Sequence, residues 1–193
     1  MTFDLDLDRL AATALEGASN RDSGYHGPEH WQRVAEIGLG LCLRDQAADP
    51  TVVALFALLH DTQRLNEDED PLHGPRAASY ALELFDAGKL AISDQQLHAL
   101  MDACQRHTTA GPTADPTAGA CFDSDRLTLW RVGTRPQPRY LSTQATLNDE
   151  RWLLVGLQLE MTRPMSWQQL TDAYRTGCLP EGRPVANLIA VAA

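Results

Sequence analysis

Polar residues that could bind a metal ion interrupt the apolar helices of this sequence. The clearest are adjacent, His60 and Asp61, at the end of the apolar run "ALLHDTQRLN" (57–66). A histidine and an aspartate at a buried position are costly unless something compensates them. Arg64, one turn further on, would provide an ion pair, whereas a metal ion would bind both side chains. The pair alone leaves both explanations open.

Further histidines and an aspartate extend this pattern along the chain: His30, His73, His107 and Asp125. Imidazole nitrogen and carboxylate oxygen together suit Mn, Fe, Co, Ni or Zn. The residues come from several helices or helix ends, and facing helices of a bundle can surround an ion that no single helix could enclose. The series therefore favours a centre for one or two divalent transition-metal ions.

The elements that must position these side chains are predicted to be helical. Apolar residues recur at helical spacing, and no segment shows the sustained two-residue alternation of a strand, which predicts an all-α fold. Residues 109–120 are expected to form a long loop, and residues 123–133 a short helix. Helix starts are predicted near Pro28, at Pro50 with Asp49 as its cap, and after Ser93 as a cap.

The chain is predicted to form one helical-bundle domain over residues 1–180. Its 193 residues are enough to bury a continuous core without disulfides or structural metals. We expect a metal-binding core at about 26–131, outer helices at about 140–177, and a poorly ordered C-terminal tail at 181–193.

Composition argues against several classes of partner and location. A formal net charge of −10 disfavours binding to a nucleic-acid polymer, which depends on clustered lysine and arginine. No stretch approaches the roughly 20 apolar residues that cross a bilayer. The N-terminus is acidic where a secretory signal is basic, and the four cysteines lie far apart, so a cytoplasmic protein with reduced thiols is expected. A homodimer is suggested by an excess of apolar positions: Leu153, Leu154, Leu157 and Leu159.

The ordered motifs resemble the HD superfamily of metal-dependent phosphohydrolases over roughly residues 26–131. They are the histidine of "HWQRV", the "LLHD" that ends an apolar helix, the histidines of "HGPRAA" and "CQRH", and "DSDRL". Their framing by "YHGPEHW", "GPRAA" and "RVGTRPQPRYLST" is similar to a little-characterised bacterial branch of this superfamily, for which no substrate carries over. The resemblance implies a helical bundle with a hydrolytic metal centre.

Position by position, the resemblance implies a first metal ion bound by His30, His60, Asp61 and Asp125. Asp125 is chosen because the last ligand of the pattern is the aspartate directly before "RL". The pattern places either a second metal ion or a phosphate at His73 and His107. Asp123, two residues before the last ligand, is then expected to orient a ligand or to contact substrate.

The expected reaction is hydrolysis of a phosphate ester of a small molecule, with nucleotides among the candidates, by a metal-activated water. His60 and Asp61 lie at the catalytic centre, and Asp61 is also a candidate acceptor for the proton of that water. Arginines near the opening would neutralise phosphoryl charge, although each could instead pair with a buried carboxylate. The candidate arginines are Arg33, Arg64, Arg126, Arg135 and Arg139.

Two other functions remain open. Some HD proteins with two metals are iron oxygenases, and this ligand set would also serve that chemistry. The fold could alternatively be a non-catalytic metal-binding or nucleotide-binding module, although the intact ligand set argues against lost activity.

Residues around the ligands are less clearly indicated. His26 is interpreted as a loop residue because Gly27 and Pro28 prevent the helix from extending back to it, with a substrate contact as the functional alternative. Glu29, Asp102 and Asp123 are candidates to orient the ligand histidines.

Overall fold

The computed structural model describes residues 3–190 and shows a helical bundle. Within these residues there are α-helices and short 3₁₀ helices but no strand, which confirms the all-α prediction. None of the helices described is both long enough and apolar enough to cross a membrane. The helices are α1 (Leu7–Gly17), α2 (Pro28–Arg44), α3 (Pro50–Leu59), α4 (His73–Asp86), α5 (Asp94–Arg106), α6 (Pro116–Arg126), α7 (Gln144–Asn148), α8 (Val155–Glu160), α9 (Trp167–Thr176) and α10 (Pro184–Ala190).

Helix α3 lies at the centre of the bundle. The Asp49 carboxylate caps it by accepting from the backbone N–H of Thr51 at 2.9 Å, and Pro50 occupies its first turn. Every residue from Val52 to Leu59 is buried, because α2, α5 and α6 pack around this helix. His60 and Asp61, which follow its C-terminal end, therefore lie in the interior.

The other predicted helix starts are also confirmed. Helix α2 begins at Pro28, and α5 begins after Ser93, whose hydroxyl accepts from the N–H of Gln96 at 3.2 Å in a reciprocal capping box. Both starts depend on residues close in sequence. The caps fix where each helix begins and therefore where His30 and His107 fall along it.

Helices α4 and α5 pack closely at the end nearest the ligand residues. A methyl group at Gly74 would lie 2.5 Å from the carbonyl oxygen of Cys104, so only glycine permits this approach of the two backbones. The contact places His73, at the start of α4, against His107, which follows α5.

Helix α6 begins earlier than the sequence analysis predicts. The expected loop at 109–120 ends at Asp115, whose carboxylate caps α6 by accepting from the N–H of Ala118 at 2.9 Å. The helix expected at 123–133 is instead the end of α6 followed by a 3₁₀ helix at Leu129–Val132. Asp115 and Pro116 repeat the Asp–Pro start of α3, so a local signal for this helix was present.

The prediction of a poorly ordered tail was wrong for its described part. Residues Pro184–Ala190 form α10, which packs on α2 and α8 and buries Val185 and Leu188. Arg183, just before α10, forms an ion pair with the fully buried Glu36 of α2. Residues 191–193 of the predicted tail lie outside the described residues.

The leucines that suggested a homodimer divide between two environments. Leu153 and Leu159 are buried within the chain, whereas Leu154 and Leu157 are 45% and 42% exposed. Two of the four leucines therefore belong to the core of the chain, and the homodimer stays a prediction.

Candidate metal centre

The six residues predicted to bind metal or phosphate lie together where five helices begin or end. They form two groups, and within each group the candidate ligand atoms lie no more than 4.8 Å apart. Asp61 joins the groups, because its Oδ2 is 3.4 Å from Nε2 of His30 and its Oδ1 is 3.2 Å from Nε2 of His73. The first group is His30, His60 and Asp125, and the second group is Asp61, His73 and His107.

Backbone carbonyls fix the orientation of three of the histidine rings. Nδ1 of His60 lies 3.1 Å from the carbonyl of Phe56, Nδ1 of His107 lies 2.7 Å from that of Cys104, and Nδ1 of His73 lies 2.5 Å from that of Asp70. A carbonyl can only accept, so each Nδ1 carries the hydrogen and each neutral ring keeps its lone pair on Nε2. The three Nε2 atoms are thereby prepared to coordinate an ion.

The fourth ring, His30, is oriented by Thr128. The Thr128 hydroxyl donates to the carbonyl of Asp125 at 2.6 Å, so it can accept from Nδ1 of His30, which lies 3.4 Å away. The Nε2 atom of His30 then faces the centre like the other three. Two of the carboxylates predicted to orient a histidine ring contact arginines instead. Asp102 pairs with Arg106 at the surface, and Glu29 pairs with Arg33.

The distances between the nitrogens of facing histidine rings indicate whether a metal ion fits between them. The Nε2 atoms of His30 and His60 are 3.1 Å apart, and those of His73 and His107 are 2.9 Å apart. Two nitrogens each about 2.1 Å from one ion, at a right angle, would be separated by about 3 Å. In addition, Oδ1 of Asp125 is buried without a hydrogen-bond partner. Facing lone pairs and an unsatisfied carboxylate oxygen both fit a bound cation.

Burial and neighbouring charges set the protonation of the histidines. Burial lowers the pKa of His107 to about 4 and also lowers the pKa of His73, so their facing nitrogens share no proton at neutral pH. Burial lowers the pKa of His30 as well. For His60 burial acts in the same direction, but the charges of Asp61 and Asp125 outweigh it and raise the pKa. The neutral imidazole is the form that binds metals, so metal binding would displace the proton that the raised pKa favours on His60.

Both carboxylates of the centre are held ionised. Burial alone would raise the pKa of Asp61, but the charge of His60, the hydrogen bond from His26 and the adjacent His30 ring hold it well below its usual value. For Asp125, burial is likewise outweighed by the adjacent His30 and His60 side chains and by the charge of Arg131, and its pKa is well below the usual range. Each carboxylate therefore remains anionic over the whole physiological range of pH.

His26 belongs to the centre, although the sequence analysis treated it as a loop residue. Helix α2 does begin after it, but the loop folds back so that Nδ1 of His26 donates to Oδ2 of Asp61 at 2.9 Å. Its backbone is fixed independently, since its N–H donates to the Ser23 hydroxyl and its carbonyl accepts from the Trp31 indole, each at 2.7 Å. The Gly27–Pro28 signal correctly marked the loop but gave no indication of its direction.

Arg131 is a second residue that sequence reasoning missed. It lies in the 3₁₀ helix after α6, and its side chain is only 8% exposed. Its Nη2 atom is 3.6 Å from Asp125 and 3.9 Å from Asp61. Arg64, which was among the predicted arginines, lies at the second group instead, with Nη1 3.8 Å from Oδ1 of Asp61. The ion pair considered for Arg64 and Asp61 is therefore present but long.

The structure gives Asp123 a structural role in place of the predicted contact with a ligand or substrate. Its carboxylate accepts from the backbone N–H groups of Ser142 and Thr143 at 2.9 and 2.8 Å. It also accepts from the hydroxyls of Thr143 and Thr146, each at 2.9 Å. Asp123 thus anchors the end of the loop at 133–143 to α6, beside the ligand Asp125.

None of the remaining predicted arginines forms an ion pair with Asp61 or Asp125, although Arg126 donates to the backbone carbonyl of His107 at 3.3 Å. Arg33 pairs with Glu29 and Glu160 at 3.3 and 3.5 Å. Arg126 donates to the carbonyls of Tyr140 and Ala110, each at 2.5 Å, and so ties two loops together. Two others, Arg135 and Arg139, are exposed on the loop at 133–143.

A cavity of about 410 Å³ leads to the centre. Its lining includes His107 and Asp125 of the centre, and Gln137 and Tyr140 of the loop at 133–143. The Asp125 side chain is 15% exposed, compared with 0–3% for those of His30, His60, Asp61 and His73. A larger cavity of about 750 Å³, between Glu29 and Arg183, contains none of the six residues.

Comparison with known proteins found no matching family model, no matching curated protein and no matching solved structure. The likeness to HD proteins therefore depends on the quoted motifs alone.

The variant His26→Gln is expected to weaken metal binding by about 10–100-fold, as does loss of other groups that orient metal ligands. The cause is loss of the hydrogen bond that fixes Asp61, while the backbone contacts of residue 26 remain. Metal titration followed by calorimetry would measure the change. The matched control is His98→Gln, which alters an exposed histidine of α5. Equal metal affinity in both variants would show that His26 does not position Asp61.

Proposed function

We propose that this protein is a metal-dependent phosphohydrolase that cleaves a phosphate ester of a small molecule. The observation that carries the proposal is the pair of buried His/Asp groups joined by the carboxylate of Asp61. One or two divalent ions bound there would lower the pKa of a coordinated water and polarise a phosphoryl oxygen. The nitrogen and oxygen donors suit Mn, Fe, Co, Ni or Zn.

The environment of Asp61 favours a ligand role over that of a proton acceptor. Its Oδ2 accepts from His26, and its Oδ1 lies against His73. A carboxylate whose pKa is held well below the usual value is a weak base. Asp61 therefore holds and aligns the centre, and His60 acts with it as a ligand whose ring is fixed by the carbonyl of Phe56.

The cavity at His107 and Asp125 supports a small substrate. Its volume of about 410 Å³ lies within the usual range for small-molecule pockets, which is about 300–1,000 Å³. The net charge of −10 disfavours a nucleic-acid polymer as substrate. A phosphorylated small molecule, with its phosphate at the two ligand groups and its remaining part in this cavity, fits both observations.

A di-iron oxygenase is the second candidate, and the shared position of Asp61 favours it. A carboxylate whose two oxygens face two separate ligand groups is suited to hold two ions next to each other. Imidazole and carboxylate ligands also suit iron. The distinguishing properties are oxygen uptake and the electron paramagnetic resonance signal of a mixed-valent iron pair.

The test begins with elemental analysis of chelator-free protein, which is expected to retain one or two equivalents of a transition metal. Phosphate release is then measured on a panel of small phosphate esters after loading with each of the five metals. Metal-dependent phosphate release supports the proposal. Oxygen uptake by the iron form without phosphate release would replace it with the oxygenase, and failure to bind any of the five metals would exclude both.

A further inference from the structure

The guanidinium of Arg131 is held rigidly beside the first ligand group. Its Nε donates to the carbonyl of Tyr25 at 2.8 Å, and its Nη1 donates to the hydroxyl of Thr128 at 2.9 Å. Tyr25 belongs to the loop before α2, and Thr128 follows α6. The guanidinium therefore bridges two segments and cannot turn away from the centre without breaking both bonds.

The remaining nitrogen of Arg131 points at the ligand carboxylates without bonding to them. Its Nη2 is 3.6 Å from Oδ1 of Asp125 and 3.9 Å from Oδ2 of Asp61, which exceeds normal hydrogen-bond length. The nearest nitrogen, Nδ1 of His26 at 3.4 Å, uses its hydrogen for the shorter bond to Asp61 and has no lone pair to offer. Arg131 thus presents a buried N–H donor with no acceptor of its own.

The net charge of the centre would favour binding of an anion once a metal ion is bound. Two carboxylates, Asp61 and Asp125, are matched by two guanidiniums, Arg64 and Arg131, within 4 Å. Histidines that bind a metal are neutral. A divalent ion then adds at least two positive charges to a buried site, and unpaired buried charge is strongly unfavourable. An anion bound next to the ion would neutralise them.

We propose that Arg131 contacts the substrate directly and donates from Nη2 to a phosphoryl oxygen at the first ligand group. The inference deepens the proposed phosphohydrolase function and rests on it for the identity of the anion. A fixed guanidinium strengthens its bond as negative charge develops on that oxygen during hydrolysis, so it lowers the barrier as well as binding the ester. The ligand class is a tetrahedral oxyanion such as a phosphate monoester.

Binding of inorganic phosphate to the metal-loaded protein, measured by calorimetry, tests the inference without requiring turnover. Arg131→Gln is expected to bind phosphate at least about tenfold more weakly than the parent, with unchanged metal content, because a charge-assisted hydrogen bond is lost. Arg33→Gln is the matched control, since that arginine is equally buried but pairs with Glu29 and Glu160. Its phosphate affinity should equal that of the parent.

Arg131→Lys provides a second variant in case the glutamine substitution prevents folding. Lysine keeps the charge but cannot hold Tyr25, Thr128 and an oxyanion at once, so phosphate affinity should still fall. Phosphate affinity equal to the parent's in either folded variant, or no phosphate binding by the parent, would overturn the inference. Phosphate binding that depends on Arg131 without hydrolysis of any ester would instead refute only the proposed function.

Discussion

The variant Asp61→Asn is expected to lose metal from both ligand groups and to show only background phosphate release. The reason is geometric, since one oxygen of Asp61 faces His30 and the other faces His73. Asparagine keeps the shape but replaces one ligand oxygen with an amide nitrogen and removes the negative charge. Metal affinity should fall by more than about 100-fold, since loss of groups that only orient ligands already costs 10–100-fold. Elemental analysis and phosphate release would be measured on the same sample.

Two further variants make this result specific. His107→Gln removes a ligand of the second group alone, so the first group should keep its ion. Asp102→Asn changes an exposed aspartate that pairs with Arg106 and should leave the metal content unchanged. Full metal content in Asp61→Asn would contradict the shared role of this carboxylate and, with it, the arrangement on which the proposed function depends.

The variant Arg183→Ala should destabilise the fold by about 3–5 kcal/mol, the usual cost of leaving one partner of a buried ion pair without the other. The Glu36 side chain is fully buried, and Arg183 donates to both of its oxygens. The same pair attaches the segment before α10 to α2. Urea unfolding of the variant and the parent would measure the difference. Arg21→Ala, at an exposed arginine, is the control and should change little.

The loss of folding stability caused by Arg183→Ala should grow with pH. Burial raises the pKa of Glu36 above its ordinary value of 4.5, and Arg183 opposes this shift, so removing the arginine raises the pKa further. Below pH 4.5 the carboxyl is protonated in both the folded and the unfolded variant, and the deficit is smallest. Above pH 4.5 the unfolded chain releases its proton in parent and variant alike, so both lose stability equally until the pH reaches the raised pKa of Glu36 in the parent. Above that pKa only the folded variant still holds the proton, and the deficit grows until the pH passes the higher pKa of Glu36 in the variant. A deficit independent of pH, or one not reduced by adding Glu36→Gln, would show that the ion pair is not its cause.

Local sequence signals predicted much of the bundle because they act over a few residues. Asp49 and Ser93 cap helices through side chains that reach only the next turn, and both starts lie where the sequence placed them. Asp115 carries the same kind of signal, but the surrounding glycines, prolines and threonines are typical of a loop. Helix α10 could not be found this way, since Val185 and Leu188 gain their burial from α2, far away in the sequence.

The sequence by itself determined which six residues could bind a metal, because histidines and aspartates that interrupt apolar helices need a partner in the interior. It also determined that they would be carried by helix ends. Only the tertiary structure decided that Asp61 joins two groups, that His26 and Arg131 reach the centre, and that Asp123 and Arg126 hold loops instead of substrate. Those roles depend on distances between segments that lie up to 106 residues apart, as for Arg131 and Tyr25, and no local pattern encodes such distances.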